Sequence, residues 1–230
     1  MRDGPPGGSV ASPAMKLRFP ALLAAAFAAL APASGAVAAT VTTDAACYVA
    51  GGQIGVAGAE FGPGNTVFLE GEQMFASVPA DAGGIFSATL KAPSLGAVIG
   101  PASKSFTITA TDQATRAAAS TKIKVVNLTF ATNGGIKSPK AKRTWSFSGF
   151  LQRPGKPIFG HFRHGGKTYA NYRFGVPKGS CGMLKKRAPG IPAKRLRTGK
   201  WTVQVDFERS FKRNASPRVT STTTIFTTFR

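Results

Sequence analysis

Acidic residues are almost missing from the C-terminal half of this 230-residue chain. Between Ala131 and Arg230 the only acidic side chains are Asp206 and Glu208, whereas the same stretch contains 22 lysines and arginines. From Thr40 to Phe130 six acidic and five basic residues nearly cancel. Almost all of the formal net charge of +21 therefore belongs to the C-terminal half. Such a concentration of one sign repels itself and attracts polyanions.

Residues that commonly carry out catalysis are also scarce. The two histidines, His161 and His164, stand three positions apart, a spacing that puts them on opposite faces of a strand and builds no paired metal site. Their basic surroundings indicate that they are surface or core-edge residues. The many cations around Asp206 and Glu208 keep both carboxylates ionised, which disfavours the protonated acid of glycoside hydrolysis. Phosphate-binding glycine loops, nucleophile elbows and calcium loops do not occur in the sequence. We therefore predict a non-catalytic protein without metal or cofactor.

Long apolar runs are limited to the N-terminus. Lys16 and Arg18 precede an apolar stretch from Phe19 to Leu30, and Ala36-Val37-Ala38 then forms a small-residue cleavage motif. This order is typical of a secretory signal peptide, and the run is shorter than the roughly 20 residues of a membrane span. We expect residues 1–39 to be a disordered start plus a cleaved signal, with no membrane span left afterwards. The sequence thus predicts a protein that is secreted or associated with the cell wall.

Cysteine is rare, and each half of the chain has one. Export would place Cys47 and Cys181 in an oxidising compartment, where they can form a disulfide. It would close a loop of more than about a hundred residues, worth roughly 4–5 kcal/mol in the chain-entropy model, and would fix the two halves against each other. Two separately buried thiols are the alternative. A Cys181–His161 nucleophile pair is a third interpretation.

The mature chain favours strands over helices. Charged residues make up only 17% of the sequence, and apolar residues alternate with polar ones in Phe106–Ala110, Lys122–Val125 and Trp201–Phe207. Turn sequences such as Gly62-Pro63-Gly64-Asn65 separate these runs. Strands that recur every ten or so residues predict sandwiches. We expect an all-β protein with one β-sandwich over residues 40–127 and a second, basic one over 128–230.

Short motifs in the first half carry a resemblance. Val56-x-Gly58-x-x-Phe61-x-Pro63-Gly64, Asp81-x-Gly83-Gly84-Ile85-Phe86 and Phe106-x-Ile108-Thr109-Ala110-Thr111-Asp112 resemble the immunoglobulin-like modules of exported bacterial proteins. Phe147-x-Gly149-Phe150 followed by Pro154-Gly155 repeats part of this order, which indicates a divergent tandem repeat. The basic half, with Gly179-Ser180-Cys181-Gly182 and Gly199–Gln204, is similar to C-terminal modules of exported actinobacterial proteins. The resemblance implies two immunoglobulin-like sandwiches, secretion and no known catalysis.

The strongest chemical feature is a basic cluster within 16 positions of the second half. Pro189 and Pro192 interrupt it, which favours a loop whose charges can spread toward a flexible polymer. We expect Tyr169 and Tyr172 to be exposed and able to stack on bases or sugar rings. The seven candidate ligand-binding residues are Lys185, Lys186, Arg187, Lys194, Arg195, Arg197 and Lys200.

These features predict a secreted binding module that associates with an anionic polymer through its basic half. Wall teichoic-type polymers, acidic polysaccharides and extracellular nucleic acid are the candidate partners. A charged surface that serves solubility alone is the plainest alternative. A structural or adhesive sandwich that recognises a protein through an edge or loops is a second alternative. A cell-wall hydrolase that uses Cys181 or Asp206 is a third.

Overall fold

The structure is a computed structural model that describes residues 38–96, 98–133, 138 and 141–226. Every regular element in these residues is a β-strand, so the predicted all-β fold class is confirmed. No helix in the described residues is long and apolar enough to cross a membrane. The apolar run and cleavage motif of the predicted signal peptide lie outside the described residues, apart from Ala38.

The described part of the first half forms two sheets that enclose one core. One sheet has the order β1-β3-β6, and the other has the order β2-β8-β7-β4-β5. Neighbouring strands are antiparallel except for β2, which runs parallel to β8. The strands are β1 (Thr40–Thr43), β2 (Cys47–Val49), β3 (Gln53–Ala59), β4 (Thr66–Gly71), β5 (Met74–Pro79), β6 (Phe86–Lys91), β7 (Ser103–Asp112) and β8 (Ala118–Val126).

The second half also forms two sheets, all of whose described strand pairs are antiparallel. The small sheet has the order β13-β10-β9, and the large sheet has the order β12-β11-β14-β15. Trp145 and Phe147 of the small sheet pack with Phe162, Phe174 and Trp201 of the large sheet in a single aromatic-rich core. The strands are β9 (Thr129–Asn133), β10 (Lys142–Ser148), β11 (Ile158–His164), β12 (Lys167–Gly175), β13 (Leu184–Pro189), β14 (Gly199–Asp206) and β15 (Arg218–Ile225).

The strand orders of the two halves correspond. Strands β1, β3 and β6 match β9, β10 and β13, and strands β5, β4, β7 and β8 match β12, β11, β14 and β15. Phe61 and Phe150 are buried after the counterpart strands β3 and β10, where the repeated Gly, Phe and Pro-Gly motif predicts a common structure. Among the described residues, β2 is the strand without a counterpart in the second half.

Candidate functional site: the basic half

The interpretation of the basic cluster as one loop is wrong for its first three cations. Lys185, Lys186 and Arg187 lie in strand β13, which pairs with β10. Lys185 and Arg187 are opposite Ser146 and Thr144, on the outer face of the small sheet, because the intervening Trp145 points into the core. An edge strand tolerates lysines because only one face and one edge of it are covered. All three cations are exposed.

The other four cations of the cluster lie elsewhere on the same half. Lys194, Arg195 and Arg197 are exposed in the segment that joins β13 to β14. Lys200 lies on β14 and points to the outer face of the large sheet, because its neighbour Trp201 points into the core. The structure therefore distributes six of the seven candidates over two outer faces and one connecting segment, while Lys186 is exposed on the edge strand β13 opposite the inward-pointing Trp145. They do not form a single compact patch.

Both acidic side chains of this half already have partners within it. Glu208 forms ion pairs with Lys212 and Arg153, each at an N–O distance of 2.8 Å. These cations, Lys212 first, hold the pKa of Glu208 below its ordinary value. Asp206 is fully buried and accepts hydrogen bonds from Gln204 Nε2 at 2.6 Å and from the Glu208 amide at 2.7 Å. Neither carboxylate is therefore available to neutralise the exposed cations other than Arg153 and Lys212.

A buried histidine lies on the outer face of the large sheet, where the β14–β15 connection covers it. The ring of His161 is inaccessible to solvent, and its Nε2 lies 3.1 Å from Asp206 Oδ1. Its Nδ1 lies 2.7 Å from Asn171 Oδ1. The β14–β15 connection covers the cluster, since Gln204 Nε2 donates to the Lys212 carbonyl at 2.9 Å and the Phe211 ring lies 6.0 Å from the imidazole. The expectation that His161 is a surface or core-edge residue is therefore wrong.

The partners of His161 favour its charged form. Burial by itself lowers the pKa of the imidazole, but the hydrogen bonds to Asp206 and Asn171 and the charge of Asp206 outweigh burial and raise that pKa above its ordinary value. Two oxygen acceptors require both ring nitrogens to donate, which is the protonated state. The cluster thus organises the β14–β15 connection, and it forms a buried ion pair with Asp206 when the imidazole is protonated.

We expect the stability of the protein to fall as the pH rises through the pKa of folded His161. Because this pKa is raised, the contribution of His161 is fully present below the unfolded value of about 6.5 and is lost at higher pH. Thermal unfolding between about pH 5 and pH 9 measures the slope of stability against pH. The variant His161→Gln should flatten it. His164→Gln is the control, because His164 is only half-buried, and it should keep the wild-type slope; an unchanged slope in His161→Gln would contradict this assignment.

The two tyrosines predicted as stacking platforms are only half-exposed. The ring of Tyr169 lies 5.4 Å from that of Trp201, and the Arg197 guanidinium lies 5.5 Å from the Tyr169 ring. The ring of Tyr172 packs on that of Phe174 at 5.2 Å. Both side chains pack against the hydrophobic core, so the prediction of two exposed rings is wrong.

A disulfide joins the two halves. Cys47 at the start of β2 is bonded to Cys181, with their Cα atoms 5.3 Å apart, and both residues are buried around Val126. Beside it Ser148 Oγ donates to the Asn127 carbonyl at 2.7 Å. The sulfur of Cys181 is therefore not a free nucleophile, and the described residues of both halves belong to one compact unit.

No group of three or more histidine, cysteine, aspartate or glutamate residues in the described part of the chain could hold a metal ion. Of the two residues considered as catalytic in the sequence, Asp206 is buried and Cys181 is held in a disulfide. The fully exposed charged side chains that the structure describes in this half are cations.

Comparison with known proteins gives no family for this chain. No family model matches it, and no curated protein matches it. Among solved structures, the crystal structure of the YadV chaperone is similar, with 9% sequence identity, 80% of this chain and 99% of that chain covered, and a TM-score of 0.28. A similarity at this level carries no argument about what this chain does.

Proposed function

We propose that this protein is a secreted, non-catalytic binding module whose basic half binds anionic polymers at the cell wall or outside the cell. The observation that carries the proposal is the charge of the second half: 22 basic residues stand against two acidic side chains, and both of those are already engaged within the fold. Cations without acidic neighbours attract a polyanion, and release of its counterions then drives binding.

The arrangement of the cations suits a long and flexible ligand. Lys185 and Arg187 project from the outer face of the small sheet, while Lys200 projects from the outer face of the large sheet. A compact ligand cannot reach both faces, whereas a polymer can contact several cations in succession. Wall teichoic-type polymers, acidic polysaccharides and extracellular nucleic acid all have this chemistry.

We further propose that the two halves are immunoglobulin-like sandwiches of an exported protein. The matching strand orders and the mainly antiparallel pairing support this, together with the Gly, Phe and Pro-Gly motif that ends β3 and β10. The disulfide between Cys47 and Cys181 supports export, because such bonds persist in oxidising compartments. In this arrangement the first half serves as a spacer or makes a second contact with the binding partner.

Neutralising β13 should weaken the binding of a polyanion. We expect the variant Lys185→Gln/Lys186→Gln/Arg187→Gln to bind long-chain inorganic polyphosphate at least about tenfold more weakly, since each cation near an anionic surface contributes on the order of 1 kcal/mol. Glutamine keeps a polar side chain at these three exposed positions, so the fold should persist. Fluorescence titration at low salt measures the affinity.

The control removes the same charge from the first half. Lys91, Lys122 and Lys124 are exposed there, and their triple replacement by glutamine gives an equal change in net charge. We expect this control to bind polyphosphate nearly as well as the wild type. Equal losses in both triple variants would show that net charge alone matters, and no loss in the β13 variant would contradict the proposed role of these residues.

A further inference from the structure

The second half has an open gap at one side of its sandwich. Strand β9 ends the small sheet and strand β15 ends the large sheet on that side. Between them lies a cavity of about 90 Å³ whose walls include Phe130, Trp145, Ile191 and Ile225. The inward positions of β15 beside it are Ser221 and Thr223, which are too small to fill the space. The gap is therefore mainly apolar and about the size of one aliphatic side chain.

The edge of β15 lacks the usual protection against strand addition. Its residues from Val219 to Ile225 are valine, serine, isoleucine and threonines, without charge, proline or a register shift. The edge strand β13 on the opposite side contrasts with it, because it carries three cations and ends at Pro189. Charged residues and proline on an edge prevent unwanted pairing, and an uncharged, β-branched edge invites it. Strand β15 can therefore accept another strand.

The first half shows what occupies the corresponding position when it is filled. Strand β8 is the counterpart of β15, and its outer edge pairs in parallel with β2 from Cys47 to Val49. Tyr48 of this short strand is buried in the core of the first half. No described residue of the second half plays the part of β2. The position beside β15 thus has the geometry of a strand site.

A partly satisfied arginine indicates which side chains the missing strand would carry. Arg143 points inward from β10, on the same face as Trp145, and lines the gap. Its Nε is buried and has no hydrogen-bond partner among the described residues, while one Nη donates to the Ser138 carbonyl at 3.5 Å. A buried donor without a partner is costly, and a guanidinium is best satisfied by a carboxylate. The gap therefore suits an apolar side chain next to an acidic one.

We propose that this gap binds an extended peptide segment of a partner protein. The segment adds to β15 in the position that β2 takes beside β8, places one aliphatic side chain in the cavity, and pairs a carboxylate with Arg143. Main-chain hydrogen bonds supply the affinity, while the cavity and the guanidinium supply the specificity. This site goes beyond the proposed polymer binding and uses different residues.

Synthetic peptides test this site on the whole chain. The probe is an extended peptide of about seven residues that alternates valine and threonine around one glutamate. Calorimetry at about 0.5 M salt suppresses binding to the exposed cations. We expect the glutamate peptide to bind, its glutamine analogue to bind about tenfold more weakly, and a backbone N-methylated analogue not to bind. Hydrogen exchange should slow in β15 when the glutamate peptide is added.

Two protein variants complete the test. Arg143→Gln should remove the preference for glutamate over glutamine, and Lys142→Gln, an exposed neighbour on β10, should keep it. The N-methylated peptide tests strand addition on the unaltered protein, so a folding defect in Arg143→Gln does not decide the outcome. Any of three results would overturn the proposal: no peptide binds, N-methylation has no effect, or the free edge of β15 proves to pair with this chain or a second copy.

Discussion

Loss of the Cys47–Cys181 disulfide should lower the free energy of unfolding by about 5 kcal/mol. The bond joins residues 134 positions apart, and closing a loop of that length lowers the conformational entropy of the unfolded chain and raises its free energy by about this much. The Cys47→Ala/Cys181→Ala variant should therefore unfold at a much lower denaturant concentration than the wild type. Without the disulfide, the contacts of Asn127 with Ser148 still connect the two halves. We expect this connection to be too weak to keep unfolding cooperative, so the two halves should unfold in separate transitions.

Reduction provides the control for this prediction. Dithiothreitol should destabilise the wild type to a similar extent and should leave the double variant unchanged, because the variant has no disulfide to reduce. Chemical denaturation followed by tryptophan fluorescence reports on the second half, which contains both tryptophans, Trp145 and Trp201. A wild type that is equally stable with and without the reductant would contradict the assignment of a stabilising covalent link.

Replacement of Asp112 should have the second-largest effect. This carboxylate is fully buried at the end of β7. It accepts hydrogen bonds from the amides of Gly62, Ala114 and Thr115 at 2.7–2.9 Å and from Asn65 Nδ2 at 3.1 Å. Asp112→Ala leaves these donors without their acceptor, and we expect it to cost about 3 kcal/mol or more in the free energy of unfolding.

Acid should destabilise the wild type through the same carboxylate. Burial by itself raises the pKa of Asp112, but the four donors, Thr115 first, outweigh burial and hold that pKa well below its ordinary value. Its contribution is present above the unfolded value of about 3.9 and is lost as the pH falls toward the folded pKa. Urea denaturation at neutral pH and near pH 3 measures the loss, which should be smaller in Asp112→Asn.

Glu70→Gln is the matched control, because Glu70 is an exposed acid in the neighbouring strand β4. We expect it to keep the stability of the wild type at neutral pH and the same sensitivity to acid. An Asp112→Asn variant with the full acid sensitivity of the wild type would show that other carboxyl groups cause the acid effect.

Alternation in the sequence was enough to predict several strands and their buried faces, among them β7, β8 and β14. The pattern in Phe106, Ile108 and Ala110 predicts three side chains on one face, and all three are buried in β7. Trp201, Val203 and Val205 behave in the same way in β14. The pattern works here because each strand has one face on a core and successive side chains point to opposite faces.

The errors arise where a distant part of the chain determines burial. The sequence of β13 suggests a loop because its outward face is basic. Its pairing with β10, which the sequence does not reveal, makes it a strand. His161 is buried because the β14–β15 connection folds over it, and its partner Asp206 is 45 positions away. Asp112 is fully buried, and two of its four donors, on Gly62 and Asn65, lie 50 and 47 positions earlier. Local patterns carry no signal for contacts of this range.

The sequence predicted the charge of the candidate site but not the positions of its cations. Composition alone predicts a basic half, and the exposure of the seven cations agrees with this. Their distribution over two faces depends on which residues of β13 and β14 point into the core. The sequence around Pro189 suggests a loop and therefore does not predict these directions. The role of Arg143 could not be derived from its position in a basic run, because its inward direction follows from the register of β10.

The most direct test of the account is the salt dependence with which the wild type binds polyphosphate. Titrations from about 50 mM to 500 mM salt should give a straight line of log affinity against log salt, with a slope of about −4 or steeper if six or more cations contact the polymer. Reduced, still-folded protein should keep this slope, because the cations do not depend on the disulfide. An affinity that stays the same across this range would contradict electrostatic binding by the basic half.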